Sequence, residues 1–272
     1  MIEALLVLAC LQEGVAPTKA GEVRKLAGGM KFTEGPAWDG DRSVYFTDIP
    51  NNRIMVWDGR ELRVWRENSG GANGLRFDRD GSLVVCEGRN RRVTRIARDG
   101  TVTVLADAYG GKKLNSPNDL CLDGKGGIYF TDPRYGNRDD MEQDREAVYY
   151  IPPGGGPVVR VADDLVRPNG IEMGRERLYV ADHGGGKIYS YAVGPDGTLR
   201  DRKEHAPVAC DGMKLDARGN LYTTTRQGVE VFDPEGKPLV LLRVPEVPSN
   251  LCFGGTTLYI TARTSLYAVD LK

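Results

Sequence analysis

The chain repeats itself six times, and that repetition constrains its fold more than any other feature. Each copy opens on a side chain carrying an oxygen. A small or turn residue, an apolar run, a tight turn and a second apolar run follow. The first copy begins Thr33-Glu34-Gly35-Pro36-Ala37-Trp38-Asp39. The six copies start at Glu34, Asn73, Asn118, Asn169, Asp211 and Asn250, at intervals of 39, 45, 51, 42 and 39 residues. A repeat of this length is a unit that cannot bury its apolar face alone and must stack on its neighbours.

The first copy shows the unit in full, with strand-like runs at 35–38, 43–47, 53–57 and 61–66. Asp58-Gly59 separates the last two, and Asp-Gly between apolar runs is a strong hairpin signal. The same dipeptide recurs at Asp80-Gly81, Asp99-Gly100, Asp123-Gly124 and Asp196-Gly197. Four short strands per unit of 40–50 residues is the pattern of propeller blades. The sixth copy has room for three strands only, at 251–253, 258–261 and 265–269. A lone strand reads at 22–27, ahead of the first copy. The expectation is therefore all-β: a six-bladed β-propeller of four antiparallel strands per blade, the last blade closed by the N-terminal strand. It should form one domain over residues 21–272. No helical period is present.

Composition narrows the partners. Net charge is −1, so no global field favours nucleic acid or an anionic membrane. No apolar run reaches the roughly 18 residues of a membrane span. The five cysteines form no CxxC pair and there are only two histidines, which argues against a Cys/His zinc site. Cys86, Cys121 and Cys252 lie in apolar runs and read as small buried hydrophobes. Nothing in the sequence implies more than a monomer or weak dimer. Residues 1–20 read as a truncated signal or an irregular terminus. Val7-Leu8-Ala9-Cys10 looks like a lipoprotein cleavage site, but Glu3 stands where a basic n-region belongs. The pattern favours export (periplasmic, secreted or lipid-anchored), with a cytoplasmic protein as the alternative.

In a propeller the first strand of each blade lines the central channel, so equivalent positions converge at one mouth. Glu34, Asn73, Asn118, Asn169, Asp211 and Asn250 should ring it. Strand two runs back towards that mouth, and its terminal acids Asp48, Glu87, Asp132 and Asp182 should form a wider ring. Two carboxylates and several amide oxygens suit one divalent ion, Ca²⁺ first, with Mg²⁺, Mn²⁺ or Zn²⁺ as alternatives. Glu34 and Asp211 together would neutralise its charge. The third unit is the longest, and its excess is a polar segment at 133–146, a place where a rigid scaffold often carries function.

At this point the chain resembles a known family. Glu-Gly-Pro-Ala-Trp at 34–38, Ala-Asn-Gly-Leu at 72–75, Ser-Pro-Asn-Asp-Leu at 116–120, Tyr-Phe-Thr-Asp-Pro at 129–133, Arg-Pro-Asn-Gly-Ile at 167–171 and Asp-Gly-Met-Lys-Leu-Asp at 211–216 are similar to motifs of the gluconolactonase / senescence-marker-protein (regucalcin-like) family. The resemblance implies a propeller with one catalytic divalent ion, held by Glu34, Asn118, Asn169 and Asp211. Asn73 and Asn250 are then channel neighbours. Ser116 stands where animal members carry a substrate-holding Arg, so substrate preference should lie closer to bacterial lactonases.

The implied chemistry is hydrolytic opening of a sugar-type lactone, with Asp211 as general base. Asn73, Asp132, Arg134 and Tyr135 are the candidate substrate contacts, with Lys112 and Lys113 on neighbouring loops. His183 is the rival base, and no Gly-x-Ser-x-Gly elbow is present. The alternatives are a non-enzymatic propeller that binds a ligand or protein, and a strictosidine-synthase-like lyase.

Overall fold

The computed structural model describes residues 20–271, and the signal-like segment at 7–10 lies outside them. Six four-stranded antiparallel sheets stand in a ring as the blades of a β-propeller. The innermost strands are Thr33–Trp38, Ala72–Phe77, Leu120–Leu122, Pro168–Met173, Met213–Leu215 and Pro248–Gly254, in blades 1 to 6. The second strands are Val44–Asp48, Leu83–Glu87, Ile128–Asp132, Arg177–Asp182, Leu221–Thr225 and Thr257–Ala262. In blade 6 the chain supplies three strands in sequence. The fourth is Arg24–Ala27, which pairs antiparallel with Ser265–Asp270. No helix among the described residues is long and apolar enough to cross a membrane.

The turns follow the sequence signal. Gly59, Gly81, Gly100 and Gly197 of the Asp-Gly pairs all take positive φ, which these turns need and a Cβ resists. Asp123-Gly124 differs, because there Gly126 takes the left-handed position at φ 94°.

The core is six separate wedges, each between adjacent blades. Ala37 and Ile54 of blade 1 meet Leu75, Leu83 and Val85 of blade 2. Phe46 and Met55 of blade 1 meet Leu266 of blade 6, so the ring is closed by packing as well as pairing. Each fully buried Leu, Ile or Phe adds about 2 kcal/mol by leaving water. Cys86, Cys121, Cys210 and Cys252 are buried free thiols in this packing.

Glu246, on the connection into blade 6, clamps the closing blade. It accepts hydrogen bonds from Thr264 N (2.9 Å), Ser265 Oγ (2.5 Å) and Tyr267 Oη (2.9 Å). Burial alone would raise its carboxyl, but these donors outweigh it and hold the pKa down to about 2. The folded pKa lies below the unfolded one, so the stabilisation is present above the ordinary carboxylate range and is lost as pH falls towards 2. With the side chain 23 % exposed, about 2 kcal/mol is expected from this group. Glu246→Gln should melt roughly 5 °C lower at pH 7. In melts recorded down the pH scale, that deficit should shrink steadily below about pH 4.3. A deficit that stays constant would show that the carboxylate charge is not its source.

Candidate functional site

Strand pairing sets which residue of each blade faces the channel. The last acid or equivalent residue of strand two pairs one residue before the ring position: Thr33 with Asp48, Ala72 with Glu87, Pro168 with Asp182, Pro248 with Ala262. The ladder then slips, between Glu34 and Ala37 in blade 1 and between Ala72 and Leu75 in blade 2. A bulge of this kind bends the strand and re-aims its side chains. The ring residues are thus Glu34, Asn73, Asn118, Asn169, Asp211 and, in blade 6, Ser249. The sequence reading placed Asn250 there, and the register corrects it by one residue. Backbone bonds agree: Gly74 N donates to Asn118 O, Gly170 N to Asp211 O and Gly212 N to Ser249 O.

Asn250 belongs to the next layer down, with Gly35, Gly74, Asp119, Gly170 and Gly212. The channel here is too narrow for six side chains. A Cβ on Gly35 would lie 2.0 Å from Asn73 O, and one on Gly212 would lie 2.2 Å from Asn250 Cγ. The glycines leave room for two side chains, which meet across the axis. Asn250 Nδ2 donates to Asp119 Oδ2 at 3.2 Å and to Glu34 Oε2 at 3.1 Å. Asp119 is the residue that sequence reasoning missed. Its signal was available, as an acid in a column of glycines. Further along, Arg76 of blade 2 pairs with Glu172 of blade 4 at 2.5 Å, and Lys214 of blade 5 lies 3.3 Å from the same carboxylate. The Arg76–Glu172 pair joins non-adjacent blades, so it bridges the channel below the ring, and Lys214 reaches it from the neighbouring blade.

Above that layer is a cavity of about 370 Å³, lined by Glu34, Asn73, Asn118, Asn169 and Asp211. Tyr135 and His183 form part of its wall, with Phe32 and Ile49 as apolar faces. Tyr135 comes from the 133–146 insertion and receives Asn169 Nδ2 on its hydroxyl at 2.9 Å. His183 Nδ1 lies 3.0 Å from Cys210 O. A carbonyl only accepts, so Nδ1 carries the proton and Nε2 is the free nitrogen. Ser116 also lines the cavity, its hydroxyl donating to Gly88 O at 3.3 Å.

The electrostatics are those of crowded acids. Glu34 is buried at 4 % exposure. Burial first, then the Asp211 charge, push its carboxyl well above the usual carboxylate range. Asp211 is pushed up to about 6 by burial, against the pull of His183 and an Asn169 hydrogen bond. Asn73 Oδ1 is buried with no hydrogen-bond partner, and an orphaned buried acceptor is costly unless a ligand satisfies it. The donors are two carboxylates and three amides, the hard oxygen set that divalent cations take. Among the described residues no group of three or more His, Cys, Asp or Glu is arranged to hold a metal.

Two of the proposed substrate contacts stand elsewhere. Asp132 is fully buried and accepts Asn115 N and Ser116 N, both at 2.7 Å. Asp48 does the same for Lys31 N and Phe32 N, and Asp182 for Val166 N. Glu87 is bonded to Asn90, Arg92 and Thr94 within its own blade. The expected wider ring of free acids is therefore a set of loop anchors. In blades 1, 3 and 4 each acid grips the backbone two or three residues ahead of its own ring residue. The preceding Thr does the complementary job. Thr47 and Thr131 hydroxyls donate to Asn73 O and Asn169 O of the next blade. Arg134 is likewise committed, to Asn115 O, Asn137 O and Asp140. Lys112 and Lys113 lie exposed in a short hairpin, away from the cavity lining.

Known proteins share this architecture. The family described as SMP-30/Gluconolactonase/LRE-like region matches residues 32–264. A gluconolactonase of Zymomonas mobilis is 30 % identical, over 92 % of this chain and 81 % of that one. A solved gluconolactonase from Xanthomonas campestris superposes with a TM-score of 0.88 at 34 % identity, covering 97 % of this chain and 93 % of that one. A virginiamycin B lyase from Staphylococcus aureus shares the fold alone, with a TM-score of 0.65 at 14 % identity over 92 % of this chain and 99 % of that one. One fold thus carries unlike chemistries, but sequence and structure together agree on the affiliation: this chain belongs to the SMP-30/gluconolactonase/LRE-like family.

Proposed function

We propose that the chain is a lactone hydrolase that opens a sugar-type lactone with the help of one divalent cation, Ca²⁺ in the first place and Mg²⁺, Mn²⁺ or Zn²⁺ as alternatives. The observation that carries this reading is the pair of enclosed carboxylates, Glu34 and Asp211, which push against each other beside an unsatisfied Asn73 oxygen. A cation would relieve the repulsion and satisfy the donors. Glu34, Asn118, Asn169 and Asp211 would hold it, and their relatives' names point to lactones as substrates.

When bound, the ion supplies Lewis-acid polarisation of the lactone carbonyl and offsets the charge that gathers on its oxygen. The chain's own residues do the rest. Asp211 takes a proton from the attacking water as the water oxygen bonds to the carbonyl carbon. The bond from that carbon to the ring oxygen then breaks. Asp211 returns the proton to the departing oxygen, which becomes a hydroxyl, and the product is an open-chain hydroxy acid. Asn73 can accept a hydrogen bond from a substrate hydroxyl, and Tyr135 fixes Asn169 from above. Phe32 and Ile49 keep one side dry. At about 370 Å³ the cavity sits at the small end of ligand sites, as a single sugar ring needs.

Treatment with EDTA should reduce lactone hydrolysis, followed as acid release, to near the uncatalysed rate. Added Ca²⁺, Mg²⁺, Mn²⁺ or Zn²⁺ should restore it. Turnover that survives chelation would overturn the cation's role. A second reading makes His183 the base, because its Nδ1 is tied to Cys210 O and its Nε2 is left free. His183→Gln separates the two: it should lower kcat by less than about tenfold if Asp211 is the base, and by about 100-fold or more if His183 is.

A further inference from the structure

The cavity over the ring continues outward. A second hollow of about 590 Å³ shares Phe32, His183 and Asp211 with it and runs over blades 5 and 6. Three arginines edge this groove: Arg167, Arg226 and Arg263. All three are exposed, and none of their guanidiniums forms an ion pair among the described residues. The one further acid on the groove wall is Glu230, whose carboxylate accepts the Thr225 hydroxyl at 2.7 Å.

Two of the arginines stand on left-handed backbone and lie over aromatic rings. Arg167 and Arg263 take positive φ, 52° and 44°, and only six non-glycine residues among the described residues do so. At Arg263 this is the left-handed backbone of the two-residue hairpin turn between the paired Ala262 and Ser265. Each guanidinium also lies over an aromatic ring of the inner cavity. Arg167 is 6.0 Å from the Tyr135 centroid and Arg263 is 5.9 Å from that of Phe32. Arg263 is near enough to Asp211 for its charge to act on that carboxylate. Cationic forks thus line one side of a site whose floor is acidic. A guanidinium fork matches carboxylate and phosphate oxygens two at a time.

We propose that this groove is a subsite for an anionic group, so that the preferred lactone carries a carboxylate or a phosphate on the part of the sugar that points away from the ring carbonyl. Arg263 and Arg226 grip that group and Arg167 flanks it. The inference rests on the lactonase reading above and assigns its substrate class.

The test compares three lactones: neutral glucono-1,5-lactone, the carboxylate-bearing glucaro-1,4-lactone and 6-phosphoglucono-1,5-lactone. One of the two anionic lactones should exceed the neutral one in kcat/KM by about tenfold or more, and which one it is identifies the anion. In Arg263→Asn, where Asn tolerates the positive φ, and in Arg226→Gln, the anionic-to-neutral ratio should fall by about tenfold, mostly through KM. Arg263→Lys should recover part of it, and added salt should erode it. A wild type that prefers the neutral lactone, or a ratio unmoved by both substitutions, overturns the subsite. Calorimetric binding of glucarate, 6-phosphogluconate and gluconate gives a readout independent of turnover. Equal affinity for all three would also overturn the subsite. Absence of turnover on every lactone would instead sink the lactonase reading, and the binding series would still decide on the groove.

Discussion

Asp211→Asn is expected to lower kcat on a good lactone substrate by about 1,000-fold or more while leaving the melting temperature of the metal-free protein unchanged or raised. The loss follows from the base role: positioned general bases contribute about 10²–10⁴-fold, and here the same carboxylate is also a proposed cation ligand. An amide cannot take the proton. The fold should not suffer, because Asn is isosteric and the backbone of Asp211 is held independently, its N donating to Thr224 O and its O accepting Gly170 N. Burial pushes the Asp211 carboxyl up to about 6, so its ionised form costs the folded state stability above that pH, and the neutral amide removes the cost. Steady-state kinetics beside a thermal melt decide the matter. An active Asp211→Asn enzyme would mean that the base is another group, with His183 next in line. An inactive but unfolded variant would mean that Asp211 is structural.

Glu34→Gln should separate stability from activity as well, and in a cation-dependent way. Glu34 is enclosed, faces Asp211, and is within hydrogen-bond reach of Gly35 N and Asn250 Nδ2. Without a cation its charge is a liability, so the metal-free variant should melt above the metal-free wild type by on the order of 1–2 kcal/mol, roughly 2–8 °C. With a cation present the order should reverse. A ligand at 100 times its Kd stabilises the folded state by about 2.7 kcal/mol, and the variant should lose that rise along with most of its turnover. Melts of both proteins with and without Ca²⁺ read all four states. If Ca²⁺ raises the variant's melting temperature as much as the wild type's, Glu34 is not a ligand.

How much of this was legible beforehand depends on the range of the interaction involved. The blades were readable because they are built from local signals: Asp-Gly turns that need a left-handed glycine, and apolar runs too short to be anything but strands. Five of the six ring residues were readable for the same reason, since each opens a repeat. The sixth was not. Ser249 and Asn250 are both polar, and only the slip in the ladder between Pro248 and Asn250 decides which of them faces the mouth. Asp132 and Arg134 looked like substrate contacts because they are charged and sit beside the expected mouth. Their hydrogen bonds to Asn115, Ser116 and Asn137 satisfy those charges inside the loops instead. Tyr135, their neighbour, does reach the cavity.

The sequence by itself determined the architecture and the chemical class of the ring, because a repeat of fixed period must stack and equivalent positions must then converge. It also contained the glycine column that makes a narrow channel. Tertiary structure alone decided which acids are free to act. Asp48, Asp132 and Asp182 end their strands just as a ligand might, yet in the fold they meet unpaired backbone N–H groups at hydrogen-bond distance. Glu34 meets the Asp211 charge, Gly35 N and the Asn250 amide, and Asp211 meets a histidine and the Asn169 amide. A carboxylate's function is set by what neutralises it: the anchoring acids find backbone donors 16 or 17 residues away in the chain, whereas Glu34 faces Asp211 and Asn250 of other blades, which only closure of the ring brings near.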